Sequence, residues 1–101
     1  MPRAIEESLR YDGPVQATFR LAIEETNLGG TEIEPGTGCF IMLAAANRDP
    51  AQFPNPDQFD ILREPNEHVA FGVGIHYCIG APLARLEGGI AIGELLRRFP
   101  R

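Results

Sequence analysis

The sequence has no apolar run of the ~18 residues that a membrane-spanning helix needs, so no segment is expected to cross a bilayer. It has no excess of positive charge. Its 9 basic side chains are outnumbered by 14 acidic ones, for a net charge of −5. A basic face for nucleic acid is therefore excluded as an expectation. Cysteine is scarce: Cys39 and Cys78 are the two present, too few for a disulfide framework. The start carries no leader pattern, because Glu6 and Glu7 interrupt it almost at once. A reducing cytoplasm is the compartment this combination implies. No internal repeat and no low-complexity tract occurs. What remains is a chain of 101 residues, 44% hydrophobic and 23% charged, which suits one small globular unit at most.

Nine prolines and eleven glycines predict many turns. The spacing predicts a helix over 2–11, with Pro2 suited to a first position and Asp12-Gly13-Pro14 ending it. Glu7 and Arg10 fall at i, i+3 on that helix, as a solvated surface bridge or as a buried pair that locks a fold. Alternation of Val15, Ala17, Phe19, Leu21 and Ile23 with polar neighbours predicts a half-buried strand over 15–28. Gly29-Gly30 turns it into a short return strand at Thr31-Glu32-Ile33, which makes 15–38 a small antiparallel meander. The apolar run from Cys39 to Ala46 reads as a buried strand passing into a short helix. Residues 47–67 hold Pro50, Pro54 and Pro56, which exclude regular structure there. Phe53, Phe59 and Ile61 give that long loop something to bury. The longest helix is expected from about residue 79 to 99. Leu83, Leu86, Ile90, Leu95, Leu96 and Phe99 form its apolar surface, Arg97 and Arg98 its last turn, and Pro100 its stop. Gly88, Gly89 and Gly93 inside it point to close approach of a neighbouring element.

The densest signal is Phe71-Gly72-Val73-Gly74-Ile75-His76-Tyr77-Cys78-Ile79-Gly80. Gly72 and Gly74 permit a tight turn. Cys78 follows at the mouth of the last helix, where unpaired N–H groups and the helix dipole favour a thiolate. Such a sulfur attacks an electrophile, binds a metal, or lies inert in a core. A nucleophile needs a base, and His76, two residues away in a loop, is poorly placed for one. A zinc site could gather Cys39, His68, His76 and Cys78, on a spacing unlike the common zinc patterns. Arg20 on its strand and His76 beside the glycine turn are either solvated or anion partners. Together they suit a ligand with two carboxylates.

Taken jointly, these motifs resemble the cytochrome P-450 superfamily of haem-thiolate monooxygenases in its bacterial form. Phe71-Gly72-x-Gly74-x-His76-x-Cys78-x-Gly80 is similar to the family's haem-binding loop, and Glu7-Ser8-Leu9-Arg10 to its E-x-x-R helix. Asn47-Arg48-Asp49-Pro50 and the run from Phe53 to Asp60 are similar to its irregular meander. The resemblance implies a mainly α fold with a small antiparallel β-meander, namely the C-terminal part of the family's fold. Its parts are the E-x-x-R helix (1–12), a β-meander region (15–46), the irregular loop (47–70), the cysteine-ligand loop (71–80) and the last helix (81–99).

The same resemblance implies haem b as cofactor and Cys78 as axial iron ligand, a thiolate that pushes electron density onto iron. Gly72 and Gly74 allow the turn beneath the porphyrin, Gly80 lets the helix approach the haem face, Phe71 shields the sulfur, and Arg20 and His76 bind the propionates. Val15, Gln16, Ala17 and Thr18 match a stretch that faces a small organic substrate. Glu7 and Arg10 match a structural ion pair whose third member is a basic residue of the meander, at a position that Gln58 fills here. A ferredoxin- or flavodoxin-type donor would supply electrons, with Arg63 and Arg85 as candidates for its docking surface. Family members are several times longer and carry a distal helix for oxygen chemistry. Met1 thus reads as an internal start. The chain is expected to be a truncated or split protein, with the remaining part as a separate partner chain, or a non-catalytic interaction module.

Overall fold

Helix α1 (Pro2–Asp12) is the element against which the rest is assembled in the computed structural model, which describes residues 2–100. Met1, read above as an internal start, lies outside the described residues, as does Arg101. α1 buries Ile5, Glu7 and Arg10 along one side. It packs against both of the other α-helices, α2 (Leu43–Ala46) and α3 (Ala81–Arg98). Gly13 lets the chain leave α1 tightly, since a Cβ there would stand 2.5 Å from the carbonyl oxygen of Leu9.

The β region differs from the expected continuous strand. β1 (Thr18–Leu21) pairs antiparallel with β4 (Gly38–Ile41), setting Arg20 opposite Cys39. β2 (Thr26–Leu28) and β3 (Thr31–Ile33) form a second two-stranded ladder nested inside the first. Gly29 and Gly30 turn that inner hairpin with φ of 59° and 88°, the left-handed pair that a two-residue turn requires. The two ladders are bridged by Ala22 N–H donating to the Thr37 carbonyl at 2.9 Å. Expected burial fails here as well: Phe19 and Phe40 are 53% and 73% exposed. Their rings meet edge-to-face at 5.4 Å. Cys39, read as a core residue, is only half-buried. The physical reason is that alternation creates an apolar face, but a two-stranded ribbon has no second layer to cover it.

Residues 47–73 form no helix or strand, as their prolines dictate. The segment is nonetheless anchored. Phe53 is 2% exposed, Tyr11 meets Phe59 edge-to-face at 5.5 Å, and Asn47 is buried. A 3₁₀ turn (Gly74–His76) follows. α3 then starts at Ala81, two residues later than expected, with Gly80 as N-cap and Pro82 in its first turn.

The core is small. Its buried apolar side chains are Ile5, Leu43, Phe53 and Ala81, joined by Glu7, Arg10 and Asn47. The apolar surface expected for α3 exists but is uncovered: Leu83, Leu86, Ile90, Leu95, Leu96 and Phe99 are all more than half exposed. Of the three helix glycines, Gly88 faces a neighbour, Ile5 of α1. Accessible surface is 7624 Å², against about 5,700 Å² for a compact monomer of 11.1 kDa. The radius of gyration is 16.5 Å, against about 13 Å for a compact domain of this length. Both excesses have one cause: apolar faces without a second layer.

Candidate haem-thiolate site

Two adjacent carboxylates on α1 organise the site's scaffold. Glu7 is fully buried and accepts from five donors. Arg10 Nε and Nη2 reach it at 2.8 Å each, the Asp60 N–H at 2.8 Å, Asn66 Nδ2 at 3.1 Å and Arg63 Nε at 3.3 Å. Arg10 has all five guanidinium N–H groups placed, the other three on the carbonyls of Asn47, Pro56 and Gln58. A buried ion pair is tolerable when every donor and acceptor is satisfied this way. Burial alone would push the Glu7 carboxyl up, but Arg10, the Asp60 amide and Arg63 overcome it and hold it at about 2. The surface-bridge reading of Glu7 and Arg10 is thereby overturned.

Two further expectations are corrected. The basic third partner is Arg63, whose side chain is only 8% exposed, and it sits at Glu7 with 3.2 Å between Nε and Oε2. Arg63 is therefore no part of a free docking surface. Gln58 contributes its carbonyl oxygen, which accepts from both Arg10 and Arg63. Arg85, the other docking candidate, is engaged by Glu6 of α1.

The loop that carries the sulfur is closed by its own backbone. Gly72 and Gly74 adopt φ of 73° and 67°, the left-handed region where a side chain is strained. The Gly72 N–H donates to the Val69 carbonyl at 2.8 Å, the Tyr77 N–H to Gly74 at 3.0 Å and the Cys78 N–H to Phe71 at 2.9 Å. This folds residues 71–78 back on themselves and leaves Cys78 exposed. An open concavity of about 250 Å³ faces it. Its walls bring together Val15, Thr18, Arg20, Phe71, Gly72, His76 and Cys78, seven residues from two separate stretches. Gln16, Ala17 and Gly80 do not line it.

The donor set suits a metal complex that carries two carboxylates: a sulfur, and the arginine and histidine that could meet carboxylates, lie on the same walls. Gly80 has φ −82°, so its backbone does not demand glycine. A Cβ there would stand 3.7 Å from Cys78 Sγ, filling space beside the sulfur. Zinc is not supported: among the described residues no group of three His, Cys, Asp or Glu could hold a metal ion, and His68 is bound to Glu6 at 2.9 Å.

The family model for cytochrome P450 matches residues 1–100. The chain belongs to the cytochrome P450 family. It is 54% identical over 101 residues to Cytochrome P450 107B1 of Saccharopolyspora erythraea, covering 99% of this chain and 25% of that protein. It is 48% identical over 100 residues to the 6-deoxyerythronolide B hydroxylase of the same organism, with the same coverage. The crystal structure of CYP109E1 from Bacillus megaterium in complex with testosterone superposes with a TM-score of 0.96 at 46% identity. That match covers 100% of this chain and 28% of the other. The chain thus spans about a quarter of the length of the P450 relatives it matches. The family's cofactor is haem, and its fold accounts for the helices and small antiparallel sheets described above. No helix among the described residues is long and apolar enough to cross a membrane.

Sequence reasoning passed over several residues of this P450 scaffold. Asn47 accepts from the Val69 N–H through Oδ1 at 2.7 Å, tying the meander's start to the loop's start. Asn66 adds a neutral donor to Glu7. Glu6, His68, Arg85 and Tyr77 form a second network beside the first. Glu6 preceding the E-x-x-R glutamate was the available signal, since adjacent helix positions point about 100° apart.

Proposed function

We propose that this chain is the haem-ligating portion of a P450 monooxygenase, with Cys78 as the sulfur that would hold its iron. One observation carries the reading: Cys78, Arg20 and His76 share one concavity. When bound, haem supplies the O₂ chemistry by which one oxygen atom enters an organic substrate and the other is reduced to water. The chain's own residues do the rest. Cys78 holds the iron, and Arg20 and His76 take the propionate carboxylates. Phe71 keeps water from the sulfur. Gly72 allows the turn beneath the porphyrin and Gly80 the approach of the helix, Val15, Gln16, Ala17 and Thr18 face a small organic substrate, and a ferredoxin- or flavodoxin-type protein donates electrons. The test is to load the purified chain with haem, reduce it and add CO. A strongly red-shifted Soret band that is lost in Cys78→Ala supports the ligand. Failure to take up haem both alone and with the remaining part of a relative supplied defeats it.

A second reading concerns catalysis by the chain itself. The uncovered apolar faces of α3 and β1 favour one half of a split protein, or a non-catalytic interaction module, over an independent enzyme. Supplying the remaining three quarters of a relative as a separate chain separates the two. Substrate oxidation only with that addition supports the split protein, and none in either case supports the module.

A further inference from the structure

Arg85 lies one turn into α3 and joins three parts of the molecule. Its Nε and Nη2 grip Glu6 of α1 as a fork, at 2.7 and 2.9 Å. Its Nη1 donates to the Tyr77 hydroxyl at 2.9 Å. Its guanidinium carbon lies 4.7 Å from the centre of the Phe71 ring, within range of a cation–π contact. Phe71 and Tyr77 are both joined to Cys78 through the backbone. The Phe71 carbonyl accepts the Cys78 N–H, and Tyr77 precedes Cys78 directly. Their rings meet edge-to-face at 6.4 Å. Glu6 is itself held by His68 Nε2 at 2.9 Å, and His68 Nδ1 accepts the Ala70 N–H at 3.2 Å. The base of the loop, its two aromatic side chains and the first turn of α3 are therefore tied to one carboxylate.

We propose that Arg85 is a positioning residue for the sulfur, tying Phe71 and Tyr77, the two residues joined to Cys78 through the backbone, to Glu6 of α1. This deepens the reading of Cys78 as iron ligand and rests on it. The loop has few alternatives to this anchor. Ile75 and Ile79 are 97% and 100% exposed, so apolar packing does not hold its tip. A planar fork that engages a carboxylate bidentately, a hydroxyl and a ring face together is specific to arginine. Lysine supplies the charge without the geometry.

The experiment compares Arg85→Gln, Arg85→Lys, Glu6→Gln and the milder Tyr77→Phe in the full chain. Amide hydrogen exchange is read at Tyr77 and Cys78 and in the middle of α3, and the reduced CO spectrum is read after haem loading. Arg85→Gln is expected to speed exchange at Cys78 about tenfold, the loss of one charge-assisted contact. The middle of α3 is expected to stay unchanged, and the red-shifted band to shrink. Lysine fails to restore either readout, and the Glu6→Gln/Arg85→Gln double variant is no worse than Arg85→Gln alone. Unchanged exchange at Cys78, an equal rise along all of α3, or full rescue by lysine overturns the proposal. If the parent chain shows no red-shifted band, the ligand reading fails, whereas the exchange comparison still decides the role of Arg85.

Discussion

Arg63 Nε lies 3.2 Å from Glu7 Oε2, although 56 residues of chain separate them. The contact puts a second guanidinium on a carboxylate already gripped by Arg10. It also fastens the far end of the meander to α1. Removing Arg63 leaves Glu7 with Arg10 but strips one charge-assisted bond and the closure of the meander. Arg63→Ala is expected to lower stability by about 1.5–3 kcal/mol. Arg10→Ala, which leaves Glu7 buried beside a weaker partner set, is expected to cost about 3–5 kcal/mol. Urea unfolding measures both, and an unchanged midpoint for Arg63→Ala would return that residue to the surface.

The same carboxylate sets an acid limit. Glu7 is lowered from its ordinary 4.5 to about 2, so the unfolded chain binds this proton first as pH falls. Its contribution is fully present above about pH 4.5 and is lost progressively toward pH 2. At 1.36 kcal/mol per unit the shift corresponds to roughly 3 kcal/mol. Glu6 is lowered as well, chiefly by Arg85, and adds a loss of the same sign. Stability measured between pH 6 and 2.5 should therefore fall in the parent. In Glu7→Gln, weaker throughout, the fall should be shallower.

Arg20 and His76 offer a test that separates carboxylate binding from sulfur ligation. Both are exposed on the concavity, and Arg20 already donates to the Phe19 carbonyl at 2.8 Å. Replacing either by Ala is expected to weaken haem affinity about tenfold, as for loss of one charge-assisted contact near solvent. The position of the CO band should stay where it is. Titration with haem reads the first and the spectrum reads the second. A band shift without an affinity change would remove both residues from the carboxylate role.

Two substitutions probe backbone closure. Gly13→Ala would place its Cβ 2.5 Å from the Leu9 carbonyl oxygen, a backbone atom at the end of α1 that cannot swing away. Thermal unfolding should show a loss of about 1–3 kcal/mol. Asn47→Ala orphans the Val69 N–H and should cost a similar amount, about 1–3 kcal/mol. In contrast, Gly89→Ala meets open space inside α3 and should stabilise by up to about 1 kcal/mol.

Some of this molecule is decided by local chemistry that the sequence displays by itself. Pro2 and Gly13 bracket a helix, three prolines forbid regular structure around residue 54, and Gly72 and Gly74 supply the left-handed turns that present Cys78. These are backbone constraints carried by single residues, and they hold wherever the segment is placed. The tertiary structure alone decided which basic residue reaches Glu7. Arg63 does so and Gln58 offers only its carbonyl, because an irregular chain has no period from which a side chain's direction follows. It likewise decided that Glu6, Arg85, Tyr77 and Phe71 meet, a contact that requires α1 and α3 to cross at a given height. Burial was the least legible quantity. The strand over 18–21 and the leucines of α3 have the patterning of covered faces, yet coverage depends on a second layer, which periodicity does not specify.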